Sequence, residues 1–218
     1  MSITLNGILQ KIGSYVDQDT TLPTGTDLTT RVNLVNRALN EWADTYEWKQ
    51  LRRTYSPTVL LSMVSVGLPS DFKRLMGAIY DQSITSSNQY VEIRPEERFI
   101  KLSSDKYVVV WGDPAAGTYI NINPALGSGA SIVMDYQSYP SSLATLQDVS
   151  QVPHPEYLAQ RAIAYILESR SDSRFPSAKA DADRMLQSMI EEEAAPTGGQ
   201  NNRVPDYFRS NNFRVGRD

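Results

Sequence analysis

The one histidine of this chain, His154, stands between Pro153 and Pro155. An imidazole can ligate a metal or move a proton near neutral pH, but both roles draw on partners that a lone histidine lacks. There is no cysteine, which removes disulfides, thiolate nucleophiles and cysteine-based zinc or iron–sulfur sites together. His154 therefore reads as the residue that leads into a helix. Ser141 and Ser142 have no identifiable base. Glu191, Glu192 and Glu193 are adjacent on a predicted helix, so their carboxylates point in different directions and cannot converge on one cation. Negative charge at a helix C-terminus does oppose the macrodipole. A basic partner, such as an arginine-bearing tail from a neighbouring subunit, would relieve it. Asp181 and Asp183 beside Arg184, and Glu96 and Glu97 beside Arg98, read as surface charge. The glycines at 112, 117, 127 and 129 match no phosphate-binding loop, since Gly127-Ser128-Gly129 lies between strands rather than before a helix. No catalytic, cofactor or metal constellation emerges, and the expectation is a protein that is not an enzyme.

The residues with most recognition chemistry lie at the C-terminal end. Tyr207, Phe208 and Phe213 are interleaved with Arg203, Arg209, Arg214 and Arg217, against only Asp206 and Asp218. Stacked bases with phosphate contacts would use such residues on single-stranded nucleic acid. An arm docking on another protein would use them as well, because Tyr, Phe and Arg are preferred interface anchors. The net charge of −4 and the pI of about 5.1 favour the protein arm, since nucleic-acid binding is dominated by phosphate neutralisation.

Periodicity places these residues on elements. Leu5, Leu9, Ile12 and Val16 fall on one face of a first helix, and a loop with Pro23 and Gly25 follows. Asp27 reads as the N-cap of a longer helix with Leu28, Val32, Val35, Leu39, Trp42 and Tyr46 on one face and Arg31 among the residues of the others. Leu51–Tyr55 and Val59–Val66 read as short strands, Phe72–Leu75 as a short helical turn, and Ala78–Tyr80 as extended. Pro95 opens a short helix. Tyr107–Trp111, Tyr119–Asn123 and the segment 132–136 are strands whose turn-rich connections suggest an antiparallel meander. Pro155 and Pro176 open two further helices, the second with Ala178, Ala182, Met185 and Met189 in one stripe.

The resulting expectation is an α+β fold: a helical bundle of N- and C-terminal helix pairs, a β-rich insertion and an extended C-terminal tail. The divisions are 1–48, 49–138, 139–195 and 196–218. At 218 residues, 40% apolar and 21% charged, the chain has the composition of one ordinary globular domain with appendages. No apolar run nears the ~18–20 residues of a membrane span, and the first residues lack the basic start and cleavage site of a signal peptide. The expectation is a soluble protein made in the host cytoplasm.

Two blocks carry a family resemblance. One runs over residues 31–59 and continues over 65–81, with Glu47, Trp48 and Leu51, then Leu68, Pro69, Asp71, Phe72 and Arg74. The other covers 139–170, with Pro140, Leu143, Asp148, Val152 and Pro153. Together they resemble the head-to-tail adaptor (connector) proteins of tailed phages, especially short-tailed ones, over most of residues 27–172. The resemblance implies a structural virion protein at the head–tail junction, in a closed ring of about twelve subunits stacked beneath the portal protein. It also implies a downstream tail (nozzle or tube) protein as partner, and DNA passing through the channel without specific binding. The tail residues named above would then dock on the portal or on a neighbouring subunit.

Overall fold

The computed structural model describes residues 3–57, 63–81, 88–113, 117–126 and 131–195. The described residues form helices α1 (Leu5–Val16), α2 (Gly25–Thr45), α3 (Glu156–Ser169) and α4 (Phe175–Ala194). The strands are β1 (Arg52–Tyr55), β2 (Met63–Gly67), β3 (Phe72–Leu75), β4 (Ile79–Asp81), β5 (Asn88–Glu92), β6 (Tyr107–Asp113), β7 (Gly117–Leu126) and β8 (Ile132–Ser138). Short 3-10 turns occupy Lys49–Leu51 and Pro95–Ile100.

The helical layer is built around α3, which touches the other three helices and is buried on most sides through Leu158, Ala159, Ala162, Ile163, Ile166 and Leu167. Against it α1 sets Leu5, Ile8, Leu9 and Ile12, and α2 sets Val35, Ala38, Leu39 and Trp42. The buried alanines Ala178 and Ala182 let α4 approach closely. Free amides at the start of α1 are taken by a distant segment, Leu5 N to Asp148 O at 2.8 Å and Asn6 N to Leu146 O at 3.0 Å.

Two local expectations for α2 shift. The helix starts at Gly25 with Thr24 at the N-cap, so Asp27 lies within the first turn. There it pairs with Arg31 (2.9 Å), which also binds Asp17 (2.5 Å) and is buried rather than on a solvated face. Those ion pairs close the loop after α1 beneath Gly13, where a Cβ would stand 2.5 Å from the Asp19 carbonyl oxygen.

The expectation of a helical bundle carrying a β-rich insertion is overturned. The strands make one curled, mixed, eight-stranded sheet, an open half-barrel in the order β1-β8-β4-β5-β6-β7-β2 with β3 also on β8. It has its own core of Val66, Ile79, Tyr90, Val108, Ile120, Ile122, Leu126, Ile132 and Met134, separate from the helical one. A layer that buries its own face is a second half of the fold, not an appendage. The last three strands are no meander either. β6 and β7 pair antiparallel, but β8 leaves β7 and pairs with β1, β3 and β4, while β5 and β6 are parallel. Turn-type residues in a connecting sequence do not decide which strand the chain meets next. Phe72–Leu75 is strand β3, not a helical turn: Phe72 is buried against Tyr136 and the segment pairs with β8.

Candidate interaction surfaces

Residues of the first block that carries the family resemblance gather at the end of α2. A helix leaves its last carbonyls without helical partners. Here Trp48 Nε1 donates to the Trp42 carbonyl (2.7 Å), Lys73 Nζ from β3 to the Ala43 carbonyl (2.8 Å), and Gln137 Nε2 from β8 to the Tyr46 carbonyl (3.0 Å). Trp48 is fully buried and stacks on Trp42 with ring centroids 4.9 Å apart. Gln137, also fully buried, accepts from Arg74 Nε (2.6 Å), and Arg74 pairs with Glu47 (3.3 Å). Asp71 accepts from the Tyr136 hydroxyl (3.0 Å), and Ser138 donates to the Leu51 carbonyl (3.1 Å). The first block therefore joins the helical layer to the sheet. In the second block Leu143 is clasped by Asn36, which accepts its amide (2.8 Å) and donates to its carbonyl (2.9 Å). Asp148 accepts from the Thr145 hydroxyl (2.5 Å) and from the Thr145 and Ala144 amides, which holds its carboxyl below the usual range.

The other residues singled out by chemistry stay apart. His154 Nε2 lies 2.8 Å from Glu192, Glu193 accepts the Lys49 amide (2.9 Å), and Glu191 accepts from Gln187 (3.0 Å). All three glutamates thus have partners within the chain, and no outside cation is needed to account for them. Asp181 pairs with Arg184, and Glu97 closes a capping box at the 3-10 turn. Among the described residues no three His, Cys, Asp or Glu side chains group as a metal site, and no helix is long and apolar enough to cross a membrane. Arg203, Tyr207, Phe208, Arg209, Phe213, Arg214 and Arg217 lie outside the described residues.

One charged cluster escapes sequence reasoning. Arg161 on α3 binds Glu41 on α2 through two nitrogens and Asp183 on α4 at 3.0 Å; the Tyr165 hydroxyl donates to Glu41, and Arg37 lies over the Tyr165 ring at 4.2 Å. Burial alone would raise the Glu41 pKa, but the hydrogen bonds and charge of Arg161 and Tyr165 hold it below its ordinary value. Beside it the Tyr157 hydroxyl is buried without a hydrogen-bond partner, and burial pushes its pKa up.

Among the described residues two surfaces stand open. On the sheet, Phe99, Ile100 and Leu102 are 78%, 82% and 69% exposed. A groove of about 300 Å³ on the sheet is lined by Val64, Arg98, Tyr107, Trp111 and Asn121, and Arg98 links it to Phe99 by lying over both the Phe99 and Trp111 rings. The β2–β7 register breaks between Met63 and Ser65, and Val64 is exposed there while Val66 is buried. The Trp111 indole nitrogen has no hydrogen-bond partner. On the helical layer, a trough of about 390 Å³ runs between α1, α3 and α4.

A family model described as SU10 adaptor protein matches residues 3–208. No curated protein matches the chain.

Proposed function

The chain belongs to the family of phage SU10 adaptor proteins, and from that membership we propose that it is a subunit of the ring joining the head portal to the tail, acting by binding and not by catalysis. The adaptor family makes it a phage structural protein and a virion component. The observation that carries the finer reading is the apolar rim of the sheet. Exposed Phe99, Ile100 and Leu102, with Phe99 linked through Arg98 to the Trp111 groove, are apolar surface of the kind that marks a protein–protein site. The downstream tail protein is the partner proposed for it. The tail residues from Arg203 to Arg217 are the arm proposed to dock on the portal or a neighbouring subunit.

Charge supports the same arrangement. Residues 1–51 and 139–195 hold fifteen carboxylates against nine cations, whereas 52–138 hold eight of each. A helical layer with net charge −6 repels phosphate, as suits a wall along which DNA passes without being held. The test is negative-stain imaging of the purified protein alone and with portal. The expected outcome is a ring with a central channel on the portal; a subunit that neither rings nor binds portal removes the reading.

A further inference from the structure

We propose that the trough between α1, α3 and α4 is the resting site of the chain's own C-terminal segment, Tyr207–Arg214. This rests on the reading of that segment as a docking arm, and assigns it a place before it docks.

Among the described residues nothing covers the apolar floor of the trough. Ala178, Ala182 and Met189 of α4 are buried in the helical core, yet Met185, in the same stripe, is 37% exposed. Across the buried Ala159 and Ile163, Tyr15 of α1 is 40% exposed. Beyond Met185 and Gln160 the depression continues for about 380 Å³ past Asp181 and Ser188. Thioether and aromatic faces side by side suit aromatic side chains, and Tyr207, Phe208 and Phe213 supply three.

Charge and reach select the occupant. The helical layer carries −6, the sheet segment is neutral, and residues 196–218 carry four arginines against two aspartates. Attraction within the chain is thus between the tail and the helical layer. At the trough edge Glu156 pairs with exposed Lys11 and Asp181 with exposed Arg184. From Met185 to Ala195 is about 15 Å of helix. The twelve residues from Ala195 to Tyr207 can span up to ~40 Å, and Gly198 and Gly199 are residues that suit a reversal. The segment therefore reaches its own trough with length to spare.

Limited trypsin digestion of the full chain reads the docking directly, because cleavage after Arg209 tracks the population of released tail. Met185→Asp and Tyr15→Ala alter exposed side chains, and far-UV circular dichroism checks that both variants fold. Each is expected to speed cleavage after Arg209 about tenfold over the wild type, while Val64→Asp on the sheet leaves it unchanged. Equal rates in all four proteins overturn the proposal. So does protection that grows with protein concentration, which would mean that a second copy supplies the segment. Portal capture by the triple variant Tyr207→Ser, Phe208→Ser, Phe213→Ser separates the two readings. Lost capture with unprotected wild-type Arg209 keeps the arm and rejects the resting site. Retained capture with the trypsin protection present rejects the arm and supports the resting site.

Discussion

Glu41 shows how much a single side chain on a nominally polar face can carry. It accepts from Arg161 and from the Tyr165 hydroxyl, and so ties α2 to α3 with charge-assisted bonds in a half-buried setting. Its folded pKa lies below the ordinary 4.5. A carboxylate depressed on folding adds stability above its unfolded pKa, and that contribution is lost as pH falls through the folded pKa. Glu41→Gln is therefore expected to destabilise the protein at pH 7 by about 1–2 kcal/mol, less than a fully buried pair would cost because a third of the side chain is exposed. Urea unfolding across pH checks the sign: the gap between wild type and variant should narrow below about pH 4. A gap that widens on acidification would mean that Glu41 is held neutral instead.

At the scale of elements, the end of α2 is where two layers become one molecule. Gln137→Leu would remove the donor to the Tyr46 carbonyl and leave the Arg74 Nε–H without its acceptor; Gln137 is fully buried, whereas the Tyr46 carbonyl bond is part-buried and Arg74 is half-exposed. About 2–3 kcal/mol of destabilisation is expected, read as a lower urea midpoint with an unchanged slope. A variant within 0.5 kcal/mol of wild type would show that water replaces the amide. This joint was only partly legible in the sequence. The long stripes of α1 and α2 show their buried faces because each helix is periodic over three turns or more. The pairing of β8 with β1, β3 and β4 did not show, because alternation tells which face a residue takes and not which strand lies beside it. Arg31 looked like a surface residue because its partners Asp17 and Asp27 meet it only once the loop closes. Glu41 and Arg161 are 120 residues apart, and no spacing rule connects them. The stripe of α4 was right in phase, yet it gave no hint that Met185 would be left uncovered. The Glu191–Glu193 run suggested a basic partner such as a neighbouring subunit's tail; within the chain the Lys49 amide and His154 meet two of its carboxylates.

At the scale of the whole molecule, the exposed rim of the sheet is kept at a cost in solubility, which function must justify. Phe99→Ser with Ile100→Ser removes apolar surface that supports nothing in the subunit's own core. Folding stability is expected to stay within about 0.5 kcal/mol of wild type, while capture of the downstream tail protein should weaken at least about tenfold. Thermal unfolding beside a pull-down separates the two readouts; unaltered capture would move the partner surface elsewhere. The joint at the end of α2 has a mechanical consequence too. Strands β3 and β8 grip the last turn of a helix about 30 Å long, whose other end is tied through Asp27, Arg31 and Asp17 to the loop after α1. A push on the sheet cannot be absorbed by a hinge at that contact, since these part-buried bonds would have to break first. The helix then works as a strut, and a load on one layer arrives at the far side of the other as a displacement of the loop between α1 and α2.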